Sequence, residues 1–519
     1  MSILERRLAG VVLPLFSIRS ASDWGVGELP DLARTAPMLE RAGLRALMTL
    51  PLLEPSPGQE SPYSPVSAFA LDPLYVSLDE VEEMVALGGR EALSDDDRAA
   101  LRVARGAYHV RHDVVRGLKQ RWLSRCHARF VEHVDPASER ARDYARFCDE
   151  HAHWLDDYAL FRTLKDHHPQ SWRAWPEPLR HHDAAALAAA RAAHAGEIET
   201  RKYVQWLAFR QLEDAHRALG ARGILLGGDE PFLVAEDSAD VWGNQRLYRF
   251  DATVGAPPDP FSATGQDWGL PPYRWDRLAE GGYALFRARG RHAAALFDFV
   301  RIDHVVGLYR TYVRPLDGSD CYFVPAHEAE QRAQGEAVLA AFREGGAALI
   351  AEDLGVIPDF VRESLDRLRI PGFRVLRWEQ RDGRFRVPSS WPELSVATNG
   401  THDTETTAAW WESLPAWERA AIRAIPELGA VPEDLVKSWN HHVEGALLAA
   451  LYGSPSDLMI LPIQDVFGLR SRINVPNTVG PQNWSWRMPW SLDTIEREDF
   501  LGARLDTLAA LARTSGRAA

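Results

Sequence analysis

Eight short apolar runs, most of them flanked by an amphipathic helical stretch, constrain the fold of this 519-residue chain more than any other feature. They fall at residues 11–16, 44–50, 223–226, 299–302, 347–351, 373–376, 394–398 and 458–461. Runs this short and this apolar read as buried strands, and strands that alternate with helices predict an α/β architecture around a parallel sheet. Eight of them fit a (β/α)8 TIM barrel.

In a barrel of this kind the reactive face is built where strands end and the following loops begin. The residues just past these runs are rich in acids. The third run leads into Asp229 and Glu230, the fourth into Asp303 and His304, the fifth into Glu352 and Asp353, and the seventh into His402 and Asp403. Carboxylates from separate strands are therefore expected to meet at one mouth.

Two carboxyl groups with opposed roles are what glycoside cleavage needs, one attacking the anomeric carbon and one protonating the leaving oxygen. Asp303 and Glu352 are the expected pair. Arg301 lies two residues before Asp303, on the same face of a strand, where its cation can hold that carboxylate ionised and oriented. Glu352 follows an apolar run, where partial burial raises a carboxyl pKa and keeps the acid protonated. Each motif has a bland alternative: an Arg and an Asp two apart on a strand commonly form a structural ion pair, and adjacent acids commonly mark a solvated turn. A third element, T-H-D at 401–403, adds the Asp403 carboxylate and the His402 imidazole, suited to holding sugar hydroxyls. Among 18 tryptophans, Trp268, Trp410 and Trp484, together with Tyr273, are candidate platforms for the C–H faces of sugars.

The chain divides into a barrel start at 1–78, an Ala-, Arg- and His-rich helical insertion at 79–200, and the rest of the barrel at 201–519. Within the last part, the Pro- and aromatic-rich excursion 254–276 reads as an ordered loop bordering the cleft. The residues after Arg513 read as a frayed tail. A formal charge of -14 argues against a nucleic-acid or anionic-membrane partner. Three cysteines without CxxC spacing suggest neither a disulfide framework nor a thiolate zinc site and fit a reducing compartment, the cytoplasm. The apolar stretch after Arg6 and Arg7 superficially resembles a signal peptide but lacks an A-x-A site, and no run approaches the length of a membrane span. The His pairs 151/153, 167/168 and 181/182 lack supporting Cys or carboxylate spacing, so no metal is assigned to them. Gly25 and Gly27 lack the third glycine of a dinucleotide site, and neither a P-loop nor a G-x-S-x-G elbow occurs.

Taken in order, the motifs resemble those of the amylomaltase, or 4-α-glucanotransferase, family. The resemblance runs through P-L-F-S at 14–17, S-P-Y-S-P-V-S-A-F-A at 61–70 with Tyr63, G-D-E-P at 228–231 and D-S-A-D-V-W at 237–242. It continues through P-P-D at 257–259, F-S-A-T-G-Q-D-W-G at 261–269, R-I-D-H, A-E-D-L-G, T-H-D, Q-D-V-F-G-L at 464–469 and N-W-S-W-R at 483–487. It implies Asp303 as nucleophile, Glu352 as acid/base and Asp403 as transition-state stabiliser. It further implies substrate contacts from Tyr63, Asp229, Asp259, Ser262, Gln266, Trp268, Arg301, His304, His402 and Asn483, with neither metal nor organic cofactor. The implied reaction passes a segment of an α-1,4-glucan or maltooligosaccharide to the 4-hydroxyl of glucose or an oligosaccharide, with retention. An α-1,4-glucan hydrolase using the same acids and a silent glucan-binding protein are the alternatives. Where the commoner family pattern continues R-I-D-H-F-R-G-F, this chain has Val305, Val306 and Leu308.

Overall fold

The computed structural model describes residues 6–258, 264–476 and 478–518; Asp259 and Ser262 therefore lie outside the described residues. Eight strands form a closed barrel: β1 (Leu8–Val12), β2 (Ala46–Met48), β3 (Leu225–Glu230), β4 (Phe299–Ile302), β5 (Ala348–Ala351), β6 (Gly372–Val375), β7 (Ser395–Thr398) and β8 (Leu458–Pro462). Each pairs in parallel with its neighbours in sequence, and β8 closes on β1 through the register Leu8↔Leu458 to Val12↔Pro462. All eight runs read from the sequence contribute a strand.

One register is set by glycine. Gly227 and Gly228 on β3 leave room for the Phe299 and Phe297 rings, which a Cβ would meet at 2.3 and 2.6 Å. That close approach lets Gly227 lie opposite Phe299, and the same register places Asp229 opposite Arg301. A packing requirement low in the barrel thus sets which charges face each other near its mouth.

Three details differ from the sequence reading. β1 begins at Leu8 and stops at Val12, because Pro14 interrupts the run and residues Leu15–Ser17 form a 3-10 turn; the apolar stretch that resembles a signal peptide supplies this buried strand. The described part of the excursion 254–276 carries two strand segments and not loop alone. Strands Ala252–Ala256 and Gln266–Leu270 pair antiparallel and join Thr311–Pro315 and Tyr322–Val324 in a four-stranded sheet. Pro257, Pro258, Pro271 and Pro272 sit just past the ends of the first two strands, where no ladder N–H is needed. Finally, the described residues 514–518 are not frayed: the helix Asp499–Thr514 passes Arg513 and Arg517 is buried.

No barrel strand occurs between Met48 and Leu225. Long helices fill this stretch, His112–His133, Glu139–His167 and Ala195–Gly220 among them, and the last of these crosses residue 200 unbroken before leading to β3. Trp154, Tyr203, Trp206 and Phe209 are buried at the centre of their packing. Among the described residues, no helix is long and apolar enough to cross a membrane.

Candidate active site

The site is assembled where β3, β4, β5 and β7 end. Backbone bonds continue past the strands and lock the first loop residues together: Asp303 N–H donates to the Glu230 carbonyl at 3.0 Å, Glu352 N–H to the Ile302 carbonyl at 3.0 Å, and Val305 N–H to the Glu352 carbonyl at 3.2 Å. The side chains of Asp303 and Glu352 consequently depart from a fixed frame.

Arg301, on β4, is the electrostatic centre. Its Nη1 donates to both carboxylate oxygens of Asp229 at 2.7 and 2.8 Å, and its Nη2 lies 2.9 Å from Asp303 Oδ1. The proximity of two acids holds the guanidinium well above its ordinary pKa, despite burial. The Arg301–Asp303 pair is thus an ion pair and a site feature at once. Asp229 also accepts the Tyr63 hydroxyl at 2.7 Å and is fully enclosed, and burial pushes its carboxyl pKa up. The Asp303 side chain stays 25% exposed, so the arginine is walled in while this carboxylate faces open space.

Glu352 occupies a different setting. Its Oε2 accepts the His304 N–H at 2.9 Å and its Oε1 the Leu354 N–H at 2.8 Å. Burial nevertheless dominates and, aided by the Asp303 charge, raises the carboxyl to about 7 against the pull of Arg301 and the two N–H groups. His304 reaches this contact in the left-handed region, with φ of 45°. Its ring meets the edge of Trp268 at 4.7 Å and 87°, and burial lowers its pKa to about 4, leaving a neutral imidazole at neutral pH. Trp268 Nε1 in turn donates to Gln266 Oε1 at 3.0 Å.

His402 stacks on Tyr63 with centroids 5.0 Å apart and planes at 19°, and Trp484 lies 5.6 Å from His402. Asp403 accepts the Asn474 amide at 2.7 Å, lies 3.5 Å from His402 Nε2 and leaves 44% of its side chain exposed. The structure therefore groups Tyr63, Asp229, Arg301, Asp303, His402 and Asp403 through direct contacts, and Glu352, His304, Trp268 and Gln266 through others.

Asn483 stands apart. It is buried, its carbonyl accepts the Val475 N–H at 3.0 Å, and its amide donates to Thr478. Glu230 and Asp353, neighbours of site residues, turn to structural partners: Glu230 to Arg289 at 3.0 Å, Asp353 to the Phe373 N–H at 2.7 Å and to Arg374 at 3.3 Å. Tyr273 packs on Phe232 and Tyr248, and Trp410 lies under Arg377. Three positions that depart from the commoner family pattern after R-I-D-H, Val305, Val306 and Leu308, are all buried.

A family model described as 4-alpha-glucanotransferase matches residues 13–493, a span that contains every one of these groups. The chain belongs to the 4-alpha-glucanotransferase family. The 4-alpha-glucanotransferase of Thermus thermophilus is 34% identical over 485 residues, covering 90% of this chain and 92% of that protein. That of Chlamydia caviae is 29% identical over 507 residues, covering 96% and 93%. Among solved structures, the amylomaltase from Streptococcus agalactiae in complex with acarbose is similar with a TM-score of 0.84 at 26% identity, covering 99% of this chain and all of that one.

In this family member two residues of the site escaped the sequence reading. Asn474 anchors Asp403 from a loop without any motif, and Arg472 donates to the Asp403 carbonyl at 2.6 Å from the same loop. A lone Asn or Arg in an irregular segment has no period or spacing that marks it. Trp484 was visible as one of many tryptophans, and its left-handed φ of 55° was not.

Proposed function

We propose that this chain is a 4-α-glucanotransferase that works by a retaining double displacement, with Asp303 as nucleophile and Glu352 as acid and base. The observation that carries the assignment is the opposition of the two settings: Asp303 lies against the Arg301 cation at 2.9 Å, whereas burial raises Glu352 to about 7. The Asp303 carboxylate attacks the anomeric carbon as protonated Glu352 gives its proton to the glycosidic oxygen, which leaves as the free 4-hydroxyl of the released fragment. An ester joins the donor segment to Asp303. Glu352, now ionised, removes the proton from an acceptor 4-hydroxyl, whose oxygen attacks the same carbon and expels Asp303. Two inversions restore the α-linkage.

Asp403, braced by Asn474 and beside His402, is suited to hydroxyls of the flattened ring, and Trp268, with Gln266 and His304, to an apolar sugar face at the rim. Tyr63 and Asp229 position Arg301. Donors are α-1,4-glucans or maltooligosaccharides, acceptors are glucose or an oligosaccharide, and the cytoplasm is the compartment, a reading supported by three cysteines without CxxC spacing. Residues 79–200 serve as an inserted subdomain on the barrel.

The test is incubation with maltotriose, resolving products by size and counting reducing ends. Longer and shorter oligomers at constant reducing ends are expected. Rising reducing ends without longer products would make water the acceptor and the chain a hydrolase.

A further inference from the structure

The helical stretch between β2 and β3 brings together three side chains that the sequence alone leaves scattered. His167 is the last residue of the helix Glu139–His167, His194 is the cap between the helices Ala184–Ala193 and Ala195–Gly220, and Glu197 is in the first turn of the latter. His167 Nε2 lies 3.0 Å from Glu197 Oε2, and His194 Nδ1 lies 3.3 Å from Glu197 Oε1. The two imidazole centroids are 4.1 Å apart, and one donor atom from each of the three residues falls within 4.8 Å of the others. This is the one such grouping of metal-type ligands among the described residues.

We propose that His167, His194 and Glu197 bind a divalent transition-metal ion, with Zn2+ the best match. The argument is geometric. Ligands on a tetrahedral ion with bonds of about 2.0–2.1 Å lie about 3.3 Å from one another, close to the N···O separations found here. Two imidazoles and one carboxylate are a donor set that zinc accepts, while the hard ions Mg2+ and Ca2+ prefer oxygen shells. All three side chains keep contact with solvent, between 25% and 49% exposed, so an ion can enter and water can fill the fourth position. Glu197 also lines a cavity of about 330 Å3 beside Asp166 and Arg201. Arg201, one turn on from Glu197 in the same helix, is paired with Asp166. His168, next to His167 in sequence, packs toward Trp175 and is not part of the set.

The placement suggests what the ion does. His167 and His194 are the two ends of the 168–193 excursion, and Glu197 follows directly, so a bound ion clips that excursion at its base. Closing a loop in this way restricts the unfolded and locally opened chain.

The test titrates metal-free wild-type protein with Zn2+ by calorimetry and with Co2+ by visible absorption, alongside His167→Ala/His194→Ala and Glu197→Gln. One Zn2+ per chain is expected, with the visible bands of tetrahedral Co2+, and at least about tenfold weaker binding in both variants. Glu197→Gln keeps the shape of the side chain and is exposed, so its fold, checked by circular dichroism, is retained. Slower proteolytic cleavage within 168–193 on adding Zn2+ to wild type, and not to the variants, is the second readout. Equal Zn2+ affinity in wild type and both variants, or no tetrahedral Co2+ spectrum, would overturn the proposal.

Discussion

Arg301 and Asp229 form a two-pronged buried contact, a single guanidinium nitrogen lying 2.7 and 2.8 Å from the two carboxylate oxygens. The same arginine extends its other terminal nitrogen to Asp303 at 2.9 Å. Asp229 therefore fixes where the charge facing Asp303 sits, and Tyr63 fixes Asp229 through its 2.7 Å hydroxyl bond.

Removing that hydroxyl tests the chain of support. Tyr63→Phe keeps the ring that stacks on His402 but leaves one oxygen of a fully enclosed carboxylate short of a donor. A loss of about 1–3 kcal/mol in stability is expected, measured by urea unfolding, together with a fall in kcat. Unchanged kcat would show that Asp229 needs no help from Tyr63.

Substitution of the two acids separates chemistry from folding. Asp303→Asn and Glu352→Gln preserve shape, and each is expected to lower turnover on maltotriose by roughly 10²–10⁴-fold or more while the fold, read by circular dichroism, is retained. Glu352→Gln should retain more activity toward donors whose leaving group needs no proton. Wild-type rates in Asp303→Asn would remove it as nucleophile.

The pH dependence follows from Glu352. Its folded carboxyl titrates at about 7, above the ordinary 4.5, so the folded chain holds a proton that the unfolded chain has released. The contribution of this group to stability is complete below the unfolded value and is lost as pH rises through about 7. Two outcomes are expected: kcat/KM falls on the alkaline side with a midpoint near 7, and Glu352→Gln gains stability relative to wild type as the pH is raised through the same range. Flat kcat/KM through the alkaline range would show that Glu352 does not act as the acid.

Much of this was legible in the sequence where local chemistry decides the outcome. β4 was read to the residue because Asp298 and Asp303 bound a run in which Phe299, Val300 and Ile302 are apolar. β1 was read three residues late at its start and four at its end, the latter because Leu13, Leu15 and Phe16 extend the apolar run and only Pro14 marks the end. The adjacent acids Glu352 and Asp353 look alike in sequence. Asp353 is drawn away by the Phe373 N–H and Arg374, residues from the next strand. The strands of the excursion were hidden by their flanking prolines, and Asn474 by the lack of any pattern around it. What the sequence could not express was pairing between distant segments, which only the closed barrel brings about.

Arg517 is the sharpest case of such pairing. Its guanidinium is buried and donates to the carbonyls of Tyr452 at 3.0 Å, Leu8 at 3.1 Å and Ser454 at 2.7 Å. Leu8 opens β1, while Tyr452 ends the helix His441–Tyr452 that precedes β8, so Arg517 ties the start of β1 to the segment that leads into its barrel neighbour. Burial, aided by the neighbouring Arg7 cation, lowers the pKa of this arginine to about 10. Arg517→Ala strips a donor from three carbonyls at once, and a stability loss of about 1–3 kcal/mol or more is expected, read as a lower urea midpoint with the slope unchanged. Deleting residues 515–519 should reproduce it. A truncated chain with the wild-type midpoint would mean that the β1–β8 seam holds without its terminal clasp.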